Sequence, residues 1–489
     1  MNNSATGSLK QRAIFGIYWS SVQWVSQVIV NFISGIILAR LLSPDDYGML
    51  GMLAIFILLA NTFIDGGFGF AIIQKKNPTE EDYSTVFYWN VGLAIVLYII
   101  LYVCAPLIAG FYRVSLLSEI LRVSGITLII NALRVIHECI LKKRLKFKKL
   151  AIASVSSSVL SLSIAIWMAY NGYGVWSLVI QNLLLSGLPT IVYWLTDKWL
   201  PKLVFSIKSF KELFSFGLYV LMNTFASTFV SNIQGLLIGR LYNPALMGYY
   251  SKAHSTENLA SNTVSLIVRQ VAFPVFAELQ DKRDKLILSI RKLTTTMSFV
   301  CFPMLFLLIL LAKPLFILLY SVKWIESVPY FQILCVAGLA ICLQSINTRP
   351  LLAIGKSKIY FYWGLVKQVI GLALIVGGLM IGEIWGMLIG MVISAWLSYM
   401  VNAALVSKYI GYSMRTQAFD IFRVLSVAML SYGVAYALGV ILPFGMYVVA
   451  IIQLIVFVIL YLVVSHRVNR TYMLNVWEFI SPLLAKFKR

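Results

Sequence analysis

The sequence predicts an all-α polytopic membrane protein of about 14 transmembrane helices, arranged as two pseudo-symmetric six-helix lobes followed by two C-terminal helices. Three observations carry this. The 489 residues are 60% hydrophobic and 12% charged, with a mean hydropathy of +0.87. A soluble domain is about 45–50% apolar and about 25% charged, and its surface must stay wet, so this composition needs a bilayer. Apolar runs near the ~20 residues that cross a hydrocarbon core recur along the whole chain. Finally, residues 30–50 lie on residues 230–250 without a gap. Val30/Val230, Ile33/Ile233, Gly35/Gly235, Arg40/Arg240, Leu41/Leu241, Pro44/Pro244 and Gly48/Gly248 are then identical. A fixed offset of this kind marks an internal repeat.

The expected spans are residues 13–39, 47–73, 84–110, 117–140, 150–170, 173–196, 213–240, 246–276, 288–312, 327–348, 359–380, 383–406, 419–440 and 444–464. Residues 1–7 are polar, and the first apolar run is too long and too polar-striped for a cleavable signal sequence. Connections such as Asn171-Gly172 and Pro443-Phe444-Gly445 are single turns with no room for a soluble catalytic module, so no enzymatic activity is expected. Residues 1–197 form the first lobe and 213–409 the second. An even number of spans in each gives both the same orientation, related by an axis along the membrane normal. Residues 198–212, with Pro201 and four lysines (Lys198, Lys202, Lys208, Lys211), read as a cytoplasmic amphipathic linker. Residues 410–489 hold the last two spans and a basic tail.

Charge orients the chain. Lys and Arg number 40 against 18 Asp and Glu, a formal +22. With a cytoplasmic amino terminus, 29 of the 40 fall in inner segments and six in outer ones (Arg40, Arg113, Arg122, Arg240, Lys313, Lys323). That bias places both termini in the cytoplasm. The basic block 142–149 then reads as an anchor beside anionic membrane lipid, with no nucleic-acid partner. The five cysteines (Cys104, Cys139, Cys301, Cys335, Cys342) are odd in number, lack CxxC spacing and fit core packing better than disulfides or metal.

Polar residues inside the spans mark a candidate site. Gln23, Gln27, Asn31 and Ser34 fall on one face of the first span, and Asn223, Ser227, Ser231 and Gln234 repeat the stripe in the seventh. Such groups are costly at bilayer depth and face protein or water. They fit either interhelical hydrogen bonds or the facing walls of a central aqueous cavity, and the matched pair favours the cavity of a transporter. Asp65, Glu138 and Glu257 are acids read as intramembrane. Arg134, Lys252, Arg269, Arg349 and Lys367 are the bases, joined by His137 and His254. Arg134, Arg269 and Lys367 are expected to form a cationic patch suited to an anionic headgroup such as a phosphate. The alternative is snorkelling, or pairing as Arg134 and Glu138 could at i, i+4. His254 shares a helix face with Glu257 and Arg269 and is expected to line the cavity. Asp65 and Glu257 are candidates for a coupling ion, or for structural roles.

Other chemistry finds no support. Gly355-Lys356-Ser357 resembles the end of a phosphate loop, but Pro350 stands where GxxxxGK[ST] needs glycine. His254-x-x-Glu257 has no second such pair to complete a metal site. No cofactor or metal is expected. Without an ATPase motif, transport would draw on an ion gradient, the substrate gradient or coupling elsewhere.

At this point three segments resemble a family. The run Gly35-Ile36-Ile37-Leu38-Ala39-Arg40-Leu41-Leu42-Ser43-Pro44-Asp45-Asp46-Tyr47-Gly48 looks like the first-to-second helix junction of bacterial polysaccharide exporters. Ile64-Asp65-Gly66-Gly67-Phe68-Gly69 resembles the aspartate–glycine segment of their second helix. Arg349-Pro350-Leu351-Leu352-Ala353-Ile354-Gly355-Lys356 is similar to their loop after the tenth span. Together these point to the multidrug/oligosaccharidyl-lipid/polysaccharide flippase superfamily, on its Wzx-type oligosaccharide flippase branch. The resemblance implies a V-shaped pair of lobes in the bacterial inner membrane. It also implies a lipid-linked substrate, undecaprenyl pyrophosphate bearing an oligosaccharide, and glycan polymerase or export machinery as downstream partners. The cationic patch would meet the pyrophosphate, and the stripes with His254 the sugar hydroxyls. The second junction, Tyr242-Asn243-Pro244-Ala245-Leu246, departs by lacking the acids of the first. A cation-coupled multidrug extruder of the same superfamily is the main alternative, expected to carry an acidic or aromatic cavity. Five intramembrane bases against three acids favour an anionic substrate. A lipid II flippase and a membrane glycan polymerase are further alternatives, the latter disfavoured by short outer loops.

Overall fold

A computed structural model describes residues 3–75, 77–197, 199–476 and 478. Lys76, Lys198, the basic cluster beyond residue 478 and the side chains of Asn223 and Arg269 lie outside the described residues. Every regular element described is helical. In chain order these are α1 (Asn3–Leu41), α2 (Pro44–Asp65), α3 (Phe68–Gln74), α4 (Glu80–Tyr112), α5 (Leu116–Lys143), α6 (Phe147–Tyr170), α7 (Val175–Thr196), α8 (Ile207–Leu241), α9 (Pro244–Glu278), α10 (Arg283–Leu310), α11 (Ala312–Tyr320), α12 (Ser327–Ala353), α13 (Ser357–Tyr409), α14 (Met414–Ile441) and α15 (Met446–Val468), with a 3-10 turn at Val322–Trp324. Eleven helices among the described residues are long and apolar enough to cross a membrane. The protein is an all-helical, multi-pass membrane protein. Its chain divides into two compact units, residues 1–248 and 249–489.

Within the first unit, helix ends follow their capping chemistry. The Ser43 hydroxyl accepts from the Asp46 amide at 3.3 Å, and the Asp46 carboxylate accepts from the Ser43 amide at 2.9 Å. Pro44 follows at the first helical position, where its fixed φ suits the helix and its missing amide costs nothing. Thr79 and Asp82 build the same box on α4. The run expected as one span over 47–73 is two helices. Gly66 and Gly67 take φ of 51° and 73°, the left-handed region that L side chains avoid, and the chain turns there between α2 and α3. The repeated Pro-x-x-x-Gly packs against its own copy. A Cβ on Gly48 would strike the Pro244 carbonyl, and one on Gly248 the Pro44 carbonyl. Small residues of this kind let helix backbones touch where lipid offers no hydrophobic drive. Past α7 the chain is strapped to α4. The Trp199 indole donates to Glu80 at 2.8 Å, and the amides of Lys202 and Ser206 donate to Ser84 Oγ and Thr85 Oγ1, each at 3.0 Å.

In the second unit, α13 is a hairpin. Gly382 leaves helical geometry and Glu383 takes φ 53°. The expected spans 359–380 and 383–406 are its two arms. Gly378 and Gly386 meet backbone to backbone, as do Gly390 and the Leu374 carbonyl. Elsewhere in this unit, the fully buried Asp420 carboxylate accepts from Arg291 Nε and Nη2 at 2.7 and 2.8 Å, and from the hydroxyls of Tyr412 and Tyr472 at 2.9 Å each. Burial, reinforced by the Asp420 charge, pushes both phenols up, so they remain donors. The cluster pins α10, α14 and the segment after α15 together, and the sequence reading assigned Asp420 no role.

Gly48→Ala or Gly248→Ala is expected to lower the unfolding midpoint of the detergent-solubilised protein, since overpacking costs about 1–3 kcal/mol. Gly92→Ala, whose methyl meets nothing within 4 Å, is expected to leave the midpoint level or raise stability by under ~1 kcal/mol. Because Arg291 is half exposed, Asp420→Asn is expected to cost about 2 kcal/mol by the same measurement, below the roughly 3–5 kcal/mol of a fully buried pair.

Candidate functional site

The first unit holds a cavity of about 550 Å³, a size suited to a small-molecule group. The polar walls come from α2 (Asn61, Thr62, Asp65), α5 (Asn131, Arg134, Glu138, Lys142) and α8 (Thr224, Thr228), with aliphatic residues such as Leu58 and Leu221 between them. On α5 the positions 134, 138 and 142 recur every fourth residue and so share a face. Glu138 is divided between its neighbours. Its Oε1 lies 2.7 Å from Lys142 Nζ and its Oε2 3.7 Å from Arg134 Nε. The first is a close ion pair. The second is a charge contact without a hydrogen bond, and Arg134 Nε is buried with no hydrogen-bond partner.

One turn along, Asn131 Nδ2 donates to Asn61 Oδ1 at 3.0 Å, tying α5 to α2. Asp65 is the last residue of α2 and is exposed in the cavity wall. Gly69 leaves room for it, since a Cβ there would stand 3.3 Å from Asp65 Oδ1. The aspartate–glycine segment thus bends the chain at Gly66-Gly67 and seats one carboxylate. Two acids and two bases line the cavity, so its formal charge balances.

The other expected site residues distribute as follows. On α1, Gln27 donates to Ser154 Oγ of α6, and Ser34 Oγ accepts from Gln181 of α7 at 2.7 Å. These are interhelical bonds. Gln23 is half-buried and Asn31 exposed. On α8, Ser227 donates to the Thr224 carbonyl at 3.0 Å, Ser231 is exposed and Gln234 is buried. The face α8 turns to the cavity is the adjacent one, Leu221, Thr224 and Thr228. In the second unit, His254 accepts from Asn258 Nδ2 at 2.6 Å. Glu257 is buried against Gly338 of α12, where a Cβ would come within 2.5 Å of its Oε1. Lys367 Nζ donates to Asn402 Oδ1 at 2.5 Å between the arms of α13. Lys252 Nζ lies 4.1 Å over the Tyr320 ring. The structure therefore brings Asp65 and Arg134 into one cavity, and places His254 and Glu257 on one turn of α9. Asn61, Asn131 and Lys142 were not among the expected site residues. The signal existed: Asn61 stands one helical turn before Asp65, and Lys142 one turn after Glu138.

A family model described as "Polysaccharide biosynthesis protein" matches residues 37–329. The teichuronic acid biosynthesis protein TuaB of Bacillus subtilis strain 168 is 28% identical over 361 residues, 73% of this chain and 74% of that one. The lipopolysaccharide biosynthesis protein WzxC of Escherichia coli K12 is 24% identical over 441 residues, 89% of each chain. Among solved structures, the lipid II flippase MurJ in an inward closed conformation aligns with a TM-score of 0.74 at 17% identity, covering 94% of this chain and all of that one. That likeness is one of fold.

In a chain whose native cysteines are replaced, Thr224→Cys and Thr228→Cys are expected to react with a small water-soluble thiol reagent in opened membranes. Ala132→Cys, at a fully buried position of α5, is expected to react roughly tenfold more slowly or less.

Proposed function

Because the chain belongs to the polysaccharide biosynthesis protein family, its match running over residues 37–329, we propose that it moves undecaprenyl-pyrophosphate-linked oligosaccharide repeat units from the inner to the outer leaflet of the bacterial cytoplasmic membrane. The family match is the observation that carries this reading, and the near full-length similarity to WzxC supports it. Two six-helix lobes, fourteen spans in all with both termini cytoplasmic, would open alternately to either side. Arg134, with Arg269 and Lys367, would meet the pyrophosphate. Arg134 supports this with an Nε that lacks a hydrogen bond, and Lys367 with a neutral partner in Asn402. Gln23, Gln27, Asn31, Asn223, Ser227, Ser231, Gln234 and His254 would meet sugar hydroxyls. Asp65 and Glu257 would hold a coupling ion, and a glycan polymerase or export system would take the product.

The excess of bases read from the sequence does not carry over to the cavity, which holds two of each sign. The case for an anionic substrate over a cationic drug therefore leans on the family and not on a charge count.

Deleting the gene is expected to abolish surface polysaccharide while fully assembled lipid-linked repeat units accumulate on the inner leaflet. Complementation with Arg134→Gln or Lys367→Ala, at normal protein levels, is expected to restore about a tenth of the glycan or less, as loss of one partly buried charge contact allows. Normal glycan with heightened sensitivity to cationic drugs would overturn the flippase reading in favour of drug export.

A further inference from the structure

Glu138 sits between two cations in the cavity wall. Its two oxygens are split between Lys142 and Arg134, at 2.7 and 3.7 Å, on the cavity face of α5. All three side chains are partly exposed on the cavity wall. On that face of α5, two cations share the one carboxylate. Arg134 is the poorly served partner, since its Nε is buried and makes no hydrogen bond. Asp65 balances the cavity formally, yet among the described residues no ion pair within 4.0 Å joins it to either cation. A guanidinium fork and an ammonium together suit a phosphate, whose several oxygens can serve both at hydrogen-bond distance where the single carboxylate does not.

We propose that Glu138 is a built-in counter-anion, displaced from Arg134 and Lys142 when a phosphate or pyrophosphate group enters the cavity. This rests on the pyrophosphate-linked substrate put forward above. It adds Lys142 as a ligand and gives Glu138 a selective role. A tethered carboxylate competes at high effective concentration. A monovalent anion therefore gains little by replacing it, whereas a multiply charged phosphate gains both cations. With Glu138 seated, the two bases also stay paired while the cavity is without substrate, which removes the penalty of unpaired charge in a low-dielectric wall.

The test uses the full-length chain in detergent, titrated calorimetrically with inorganic pyrophosphate at fixed low ionic strength. Glu138→Gln, which keeps the size and removes the charge, is expected to bind about tenfold more tightly than the parent, the scale of one partly solvated charge contact. Glu138→Ala is the second variant, and its gain should match, so a folding failure in one does not decide the matter. Adding Lys142→Gln to either should erase the gain. Binding that is equal or weaker in charge-removed variants whose unfolding midpoint matches the parent's overturns the counter-anion role and leaves the pyrophosphate site standing. Absence of pyrophosphate binding in the parent and in every variant overturns both this inference and the pyrophosphate assignment.

Discussion

No water is available in the hydrocarbon layer, so a polar atom carried into it is costly unless it finds a partner within the protein. Much of this architecture follows from that requirement. Gln27 meets Ser154 and Gln181 meets Ser34, so α1 is held to α6 and α7 through amides and hydroxyls. The Tyr112 and Tyr461 hydroxyls donate to the carbonyls of Met52 and Phe299 on neighbouring helices, at 2.9 and 2.8 Å. Each such bond is worth about 1 kcal/mol or less in a membrane, so they act as a set that fixes register and not as individual clamps. The same solvent removes the hydrophobic drive between helices. Close packing replaces it, which is why backbone meets backbone at Gly48, Gly248, Gly378 and Gly386.

The cavity of the first unit carries charge of both signs in equal number. A chain with a formal charge of +22 could have presented an open positive hollow. Instead α5 interleaves base, acid and base along one face, and α2 ends on a second acid. Recognition in such a site is an exchange of partners, and its selectivity depends on what the resident groups give up as well as on what the guest offers.

The helical, membrane-spanning character was legible because apolar run length is a one-dimensional property of the chain, and the residues that the 200-residue offset pairs at Pro44/Pro244 and Gly48/Gly248 meet reciprocally in the structure. The division of 47–73 into α2 and α3 was not legible, because hydropathy carries no information about the φ of Gly66 and Gly67. Asp420 was missed because its donors come from residues 129, 8 and 52 positions away, and long-range convergence leaves no local spacing to read. Of the candidate site, Asp65 and Arg134 were found as charges in apolar runs. Lys142 was absorbed into a basic block, although its four-residue step from Glu138 places it on the cavity face. On α8 the predicted stripe was one residue round from the face that lines the cavity, a rotation of about 100° that a periodicity argument alone does not fix.

The hairpin of α13 bears on how this protein is made. Its arms touch through residues only a few turns apart in sequence, at Gly378, Gly386 and Gly390, and are joined by a bend of two residues. Contacts of such short separation cost little loop entropy and close early. The two arms can therefore leave the insertion machinery as one preassembled piece, with a connection too short to offer a protease or an inserted tag a foothold. Later helices would then dock on a surface already formed.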